Sequence, residues 1–308
     1  MAYDVSALPA YTKQDATKII YEKIFDAIPT VKYCNIQTGV KTAETINIIS
    51  SDFELQTADC AFNASGSTTL TQRTITVGKT KINGEWCEDD LETKFTSEAL
   101  KKGSTYTSLT FNTQIIDNTL AKVRQKIERT IWLGNTASGD QTLKQFDGFV
   151  KIINAATIGG TYSGTSWSEA TSRTVMKGIA ALVVGLADVY QGGDNTDIKI
   201  FCSPAVAQAY RWKLVNDNVG FAGAYDLEKK VYIEGTNMEI VEAPGLAGTN
   251  YIYAMETSNM YVGTDMENEY EKLKIWFSDD NQKIRMVGKW KIGCQVAFPL
   301  RIVKYLGV

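Results

Sequence analysis

The 308-residue sequence contains no histidine. Histidine is the commonest general base and metal ligand near neutral pH, so its absence removes every Ser-His-Asp and Cys-His arrangement. The five cysteines are scattered and include no CxxC pair, which argues against a disulfide framework and a structural zinc site. We therefore expect no catalytic, cofactor-binding or metal-binding site, no enzymatic activity, and a reducing, cytosolic setting for the cysteines.

Long apolar runs and a strong excess of either charge are also missing. The net charge is −3, so nothing predicts a basic nucleic-acid footprint or a polybasic membrane anchor. No apolar stretch approaches the roughly 18 residues that a membrane span needs. The opening residues, MAYDVSALPAYTKQD, lack the basic segment and apolar core of a secretory signal. We therefore expect a soluble protein with no membrane partner.

One proline-free stretch, residues 112–134, organises the rest of the chain. Its apolar residues recur at steps of three and four and share one helical stripe, formed by Ile116, Leu120, Val123, Ile127 and Ile131. Gly134 follows as a residue able to end the helix in the left-handed conformation. A helix of roughly 22 residues at about 1.5 Å each is about 33 Å long. Such a stripe must pack along a large sheet or another subdomain.

The residues before this helix predict an arm and a long β excursion. Ile20, Ile24 and Ile28 share one stripe and predict a helix after an extended start, and Pro29 ends it. Residues 31–69 alternate short β-prone pieces with polar turns, so we expect a two-stranded excursion. Its apolar content cannot close a core alone, and such a hairpin is marginal in water unless another surface receives it.

Three shorter patterns flank the long helix. Residues 70–82 read as one strand with a bulge at Gly78. Residues 85–95 are typical of a short acidic helix. Residues 146–153 read as a turn leading into an apolar strand.

A second, mixed region follows. Residues 197–202 predict a strand that runs directly into Ser203 and Pro204. Serine is a favoured N-cap and proline a favoured first helical residue, so a helix is expected at 205–214. The β-rich residues 272–305 are expected to return to the first sheet. The whole pattern predicts an α+β chain with an α/β subdomain inserted into one sheet.

Two motif-like stretches fail on spacing. Gly78, Lys79 and Thr80 imitate the end of a phosphate-binding loop, but Arg73 stands where that motif needs a glycine. The acidic run 85–92 lacks the spacing and the central glycine of a calcium loop, and is better explained as a solvated face.

Two charged patterns near the C-terminal end also weigh against chemistry. Acidic residues alternate from Asp265 to Glu271, which favours repulsion or an inter-subunit ion pair over acid–base catalysis. Lys289 and Lys291 flank Trp290 on a predicted strand, where they could contact a phosphate. The net acidity of the chain and the absence of a basic cluster disfavour nucleic-acid recognition by this strand.

The order of these elements resembles one family as a whole. Several stretches lie at matching places: LTQRTITV at 70–77, FDGF at 146–149, IFCSP at 200–204 and KWKIGCQVAFP at 289–299. With an arm, a β excursion, a long helix, an inserted subdomain and returning strands, the chain resembles the major capsid proteins of tailed double-stranded DNA bacteriophages, which have the Hong Kong 97-type fold. The resemblance covers nearly the whole chain.

The resemblance implies a division of the chain. The family's parts would be the N-arm at 1–30, the E-loop at 31–69, the P-domain at 70–167 with its spine helix at about 112–133, the A-domain at 168–264, and returning P-domain strands at 265–308.

The resemblance also implies a function. The chain would self-assemble into hexamers and pentamers of an icosahedral phage head, located in the virion, assembled in the host cytoplasm and enclosing double-stranded DNA without sequence specificity. Scaffolding, portal and cement proteins are further possible partners. The expected inter-subunit contacts are Ile20, Ile24, Asn63, Ser65, Phe221 and Tyr225.

Two alternatives stay open from sequence. An encapsulin-like nanocompartment shell has the same fold but holds cargo enzymes rather than a genome. A two-domain α/β enzyme that uses carboxylates without histidine would be a small soluble oligomer with a deep pocket.

Overall fold

The computed structural model describes residues 28–52, 55, 57, 66–87, 108–186, 197–217, 230–265, 272–278, 280 and 283–307. Its longest element is helix α1, Ser108–Leu133. The predicted long helix is therefore confirmed, and it begins four residues before the predicted start. The inward stripe is also confirmed where side chains are described, because Leu120, Val123, Ile127 and Ile131 are all buried.

Gly134 ends α1 by close packing rather than by a left-handed turn. It is not among the described glycines with positive φ. A Cβ at this position would lie 2.4 Å from the Thr130 carbonyl oxygen and 2.5 Å from that of Phe146. The chain therefore needs glycine here because two backbone segments meet.

The apolar strand predicted after Phe146 is a helix instead. Helix α2 spans Phe149–Ala155. Phe149 and Ile153 are four residues apart, so in a helix both side chains reach the same core, where they are buried. A short apolar run does not distinguish a buried strand from a buried helix, and packing decides here.

Helix α1 packs against a sheet that has five strands among the described residues. Its strands are β1 (Asn35–Gln37), β4 (Gly78–Cys87), β10 (Met260–Thr264), β11 (Lys272–Ser278) and β12 (Lys283–Val296). Strand β12 is central and pairs antiparallel with β4, β10 and β11, while β1 pairs parallel with β10. Alternate residues of β12, including Ile284, Met286 and Trp290, are buried in the main core that they share with α1.

A second sheet has six strands in the described chain, in the order β5-β13-β9-β6-β8-β7. These are β5 (Gly160–Thr161), β6 (Ile198–Cys202), β7 (Val231–Tyr232), β8 (Glu239–Glu242), β9 (Ile252–Glu256) and β13 (Val303–Tyr305). Helices α3 (Ser172–Gly185) and α4 (Pro204–Asn216) share its core. The predicted start of α4 is confirmed, since the Val206 N–H donates to Ser203 Oγ at 3.3 Å.

The predicted two-stranded excursion is present as a separate ribbon. It consists of β2 (Ala43–Asp52) and β3 (Ser67–Thr76), paired antiparallel. The single strand predicted at 70–82 is therefore wrong. The chain switches partners at Val77, because β3 pairs with β2 whereas β4 pairs with β12.

Two further predictions need correction. Strand β4 continues to Cys87, where a helix was expected from residue 85, because Glu85 pairs in register with Arg285 and its carboxylate binds Lys283 and Arg285. The rest of that expected helix, residues 88–95, lies outside the described residues. At the C-terminal end, β12 returns to the first sheet as expected, but β13 joins the second sheet beside β9 and β5.

Candidate assembly surfaces

The ribbon of β2 and β3 forms a two-stranded sheet of its own. Its register runs from Ala43 opposite Thr76 to Asp52 opposite Ser67. Neither strand pairs with a third strand in the described part of the chain, so each keeps one edge without a strand partner. Unpaired edges are templates for contact with another chain, and a two-stranded ribbon is marginally stable alone.

The two faces of the ribbon differ in exposure. On one face, Ile46, Ile48 and Ile75 are buried in a small core at the base of the ribbon. On the other face, Ile49 and Leu70 are register partners and are 65% and 71% exposed. An exposed apolar pair on an unpaired ribbon is a surface suited to protein contact. We name Ile49 and Leu70 the outer pair.

At the base of the ribbon, the backbone of β3 lies directly against the backbone of β12 in the first sheet. A Cβ at Gly293 of β12 would lie 2.1 Å from the Thr76 carbonyl oxygen. Nearby, Gln295 Nε2 donates to the Thr74 carbonyl oxygen at 2.6 Å. This close crossing fixes the direction in which the ribbon leaves the sheet.

A buried ion pair lies at the start of the ribbon. The Lys291 ammonium pairs with the Asp265 carboxylate and donates to the Lys41 carbonyl oxygen at 2.8 Å. The two side chains are only 9% and 1% exposed, so the loss of either partner would leave a charge buried. Asp265 therefore pairs with a cation of its own chain. The sequence had favoured repulsion among the acidic residues or an ion pair with a neighbouring subunit. Lys291 holds the ribbon rather than a phosphate.

The end of the N-terminal segment is anchored to α1 by a buried carboxylate. Glu128 is 3% exposed. Its Oε1 accepts from Thr30 Oγ1 at 2.5 Å and from the Gly245 N–H at 3.4 Å, and its Oε2 accepts from the Thr30 N–H at 3.3 Å. Trp132 Nε1 donates to the same Thr30 hydroxyl at 2.7 Å. We name these four residues the arm joint, because they connect Thr30, which ends the predicted arm, to α1 and to the Pro244–Leu246 turn.

Burial sets the electrostatics of the arm joint. It raises the pKa of the Glu128 carboxyl from its ordinary value, although the hydrogen bonds from Thr30 and Gly245 and the nearby Trp132 indole N–H oppose this in part. No lysine or arginine of the described chain forms an ion pair with Glu128. The carboxylate is thus held by neutral donors alone.

Ion pairs bind the helices of the second region together. Arg173 of α3 binds Glu234 through two hydrogen bonds of 2.7 and 2.6 Å and binds Asp217 at 3.1 Å. Lys177 and Lys213 complete the network. The guanidinium of Arg173 lowers the pKa of Glu234 to about 2. These contacts fix α3, the end of α4 and the turn after β7 relative to one another.

Three thiols in the described part of the chain are affected by burial. Burial raises the pKa of the Cys34, Cys202 and Cys294 thiols, which keeps them in the unreactive protonated form. No group of three or more Cys, Asp or Glu side chains in this part of the chain is placed to hold a metal ion. No helix in it has the length and apolarity to cross a membrane.

The predicted inter-subunit contacts cannot be placed on these surfaces. Ile20, Ile24, Asn63, Ser65, Phe221 and Tyr225 all lie outside the described residues. The outer pair was not predicted from the sequence, although the consecutive isoleucines at 48 and 49 indicate an apolar side chain on both faces of the strand. Neighbouring strand residues face opposite sides, so two apolar neighbours place an apolar group on each face.

The chain resembles known proteins in its fold but not in its sequence. No protein-family model and no curated protein matches the sequence. The structure is similar to the satellite phage P4 procapsid that includes the size determination protein, at 10% identity and a TM-score of 0.60 over 96% of this chain and 90% of that one.

Two phage capsids show the same likeness. The capsid of cyanophage P-SCSP1u matches at 11% identity and a TM-score of 0.54, over 90% of this chain and 86% of that one. The capsid of Myoviridae phage XM1 matches at 13% identity and a TM-score of 0.54, over 89% of each chain. The predicted α+β capsid fold of the Hong Kong 97 type is therefore confirmed.

Proposed function

We propose that this chain is the major capsid protein of a tailed double-stranded DNA phage, a structural subunit and not an enzyme. The observation that carries the proposal is the likeness of fold to several phage capsid structures over 89% or more of the chain. The ribbon and its outer pair support it, because a subunit that assembles needs apolar surface that its own fold leaves open.

Assembly would proceed by mutual completion of subunits. The ribbon of one subunit lies on a neighbour, and the arm leaving the arm joint does the same. Head-to-tail contacts of this kind close into rings, so hexamers and pentamers follow from the same pairs of surfaces. Contacts repeated around a shell give a stability that no single contact supplies.

We propose that the chain divides into the parts of that family. We assign residues 1–30 to the N-arm, 31–69 to the E-loop, 70–167 and 265–308 to the P-domain, and 168–264 to the A-domain. In this assignment α1 is the spine helix. Because β3 extends to Thr76, the ribbon includes the first residues of the P-domain segment.

We infer a virion location after assembly in the host cytoplasm, and packaged double-stranded DNA held without sequence specificity. A net charge of −3 suits a container, since a basic lumen would pin the genome by counterion release. Scaffolding, portal and cement proteins are the further partners that this function implies.

Purification of the chain after expression tests the proposal. We expect size-exclusion chromatography and negative-stain microscopy to show closed shells or their rings, and particles from infected cells to contain DNA. A small soluble oligomer would overturn the assignment. Shells that hold a cargo protein and no nucleic acid would instead indicate an encapsulin-like compartment.

A further inference from the structure

The first sheet turns one face to α1 and the other face away from it. Ile82 of β4 and Ile284 and Trp290 of β12 belong to the core that the sheet shares with α1. Successive residues of a strand face opposite sides of the sheet. The residues of β4, β11 and β12 that alternate with this core therefore form the opposite surface. We name this surface the open face.

Cations from all three strands lie on the open face. They are the exposed or half-buried residues Lys79, Lys81, Lys274, Lys283, Arg285 and Lys289. Glu85 is the one carboxylate at the described positions of this face, and it is already bound by Lys283 and Arg285. The open face is thus strongly positive on a chain of net charge −3. The expected absence of a basic cluster is wrong, because β4 and β11 bring cations from distant parts of the sequence beside β12.

Like charges oppose one another directly at the centre of the open face. Lys289 is the register partner of Lys81 on β4 and of Lys272 on β11. Like charges directly opposite on neighbouring strands destabilise a sheet. Neither Lys81 nor Lys289 forms an ion pair within the described chain. An anionic partner from outside the chain would explain why this row of cations is kept.

The composition of the open face favours nucleic acid over protein as that partner. Protein interfaces are depleted of lysine and have apolar centres. Here the larger apolar side chains at described positions are Val287 and Trp276, and the Lys274 ammonium lies over the Trp276 ring, 5.1 Å from its centroid. Nucleic-acid interfaces are much more positively charged than protein interfaces, and lysine is a common ligand of phosphate.

We propose that the open face binds the phosphate backbone of double-stranded DNA without reading its sequence, with Lys81 and Lys289 at the centre of the contact. The inference deepens the proposed function and rests on it for the identity of the polymer. Contacts of this kind act by counterion release and weaken steeply with salt. A few such contacts on each subunit hold a genome loosely, which agrees with an otherwise acidic chain.

Fluorescence anisotropy of a labelled short DNA duplex measures the binding on the full chain, kept below the concentration at which it assembles. Two duplexes of unrelated sequence should bind with equal affinity. The logarithm of the affinity should fall with the logarithm of salt concentration with a slope of about −4, since about four or five phosphates are contacted. Poly-L-glutamate should compete about tenfold less well than unlabelled DNA, because its charges are less dense.

A pair of double variants locates the contact. Lys81→Gln with Lys289→Gln should weaken DNA binding about tenfold at low salt and make the salt slope shallower by about 2, roughly one for each lost phosphate contact. Lys122→Gln with Lys126→Gln is the matched control. Both of these lysines are exposed on α1, on the other side of the sheet, and neither forms an ion pair in the described chain. The control changes the net charge by the same amount and should keep the affinity within about twofold.

Denaturant unfolding shows whether each variant is folded. Lys81→Gln should keep or raise the unfolding midpoint, because it removes a like-charge pair. If the double variant does not fold, this single variant decides, with an expected loss of about threefold in affinity. Equal losses in the two double variants or no DNA binding at low salt would overturn the proposal. Equal competition by poly-L-glutamate would overturn it in favour of an acidic protein.

Negative-stain microscopy of the same preparations at higher concentration separates this inference from the proposed function. A chain that forms shells but does not bind DNA through the open face overturns the inference alone. A chain that binds DNA there but forms neither shells nor rings overturns the proposed function.

Discussion

At the scale of single residues, the arm joint is the most informative contact. Thr30 and Glu128 are 98 positions apart in sequence, yet their hydrogen bonds fix the backbone at Thr30 against α1. Gly245 completes the joint, because a Cβ there would lie 2.3 Å from the Glu128 carbonyl oxygen. The joint therefore requires a small residue in the turn and an acceptor on α1.

The raised pKa of Glu128 links this joint to pH. The native protein binds the Glu128 proton more tightly than the unfolded chain does. The stability linked to the group is thus fully present below the ordinary value of 4.5 and is lost as the pH rises through the raised pKa. Glu128→Gln removes this titration. We expect the unfolding free energy of the parent to fall relative to that of the variant as the pH rises above 4.5, measured by chemical denaturation.

A control of opposite sign is available at Glu85. Lys283 and Arg285 lower the pKa of its exposed carboxyl, so its contribution is present above 4.5 and is lost as the pH falls. Glu85→Gln should leave the pH dependence of the unfolding free energy near neutral pH unchanged in shape. If the unfolding free energies of Glu128→Gln and of the parent differ by the same amount at every pH, the raised pKa of Glu128 is contradicted.

At the scale of elements, the ribbon depends on the buried pair of Lys291 and Asp265. Lys291→Met removes the Lys291 ammonium from the buried Asp265 carboxylate and should cost about 3–5 kcal/mol in unfolding free energy. The double variant Lys291→Met, Asp265→Leu should recover much of this loss, since both charges are then absent. Denaturant unfolding of the parent, the single variants Lys291→Met and Asp265→Leu, and the double variant measures the effect. A double variant whose loss equals the sum of the two single losses would show that the pair does not act as a unit.

The outer pair separates folding from assembly. Truncating Ile49 and Leu70 together to alanine should change the unfolding free energy by no more than about 0.5 kcal/mol for each residue, because both side chains are exposed. The critical concentration for shell assembly should rise about tenfold or more, as expected for the loss of central apolar contacts. Light scattering against protein concentration measures it.

The neighbouring residue provides the matched control. Ile48 is on the buried face of the same strand, so Ile48→Ala should lower the unfolding free energy by about 2–5 kcal/mol. If the variant with alanine at Ile49 and Leu70 assembles at the same critical concentration as the parent, the outer-pair face of the ribbon is not a subunit contact.

At the scale of the whole molecule, the sequence predicted helices that have a clear local pattern, but it did not predict which distant segments pair. Helix α1 was predictable because its stripe repeats without interruption, and α4 because Ser203 and Pro204 form a start signal. Helix α2 was misread, since its apolar run is too short for periodicity to decide. The places of β13 beside β9 and of Glu128 beside Thr30 depend on tertiary packing, which no local pattern records.

The order of elements nevertheless predicted the fold correctly. The likeness of this fold to three phage capsid structures holds at only 10–13% sequence identity. The candidate contacts were less predictable, because a surface is selected by its exposure in the folded chain. The outer pair became visible only once the register of β2 and β3 was known.

Electron cryo-microscopy of particles assembled from this chain tests the central claim most directly. The account predicts a closed shell in which the outer-pair face of each ribbon lies against an adjoining subunit and Ile49 and Leu70 lose most of their exposure. A particle in which every ribbon rests on its own subunit, or a preparation that contains only isolated monomers, would contradict it.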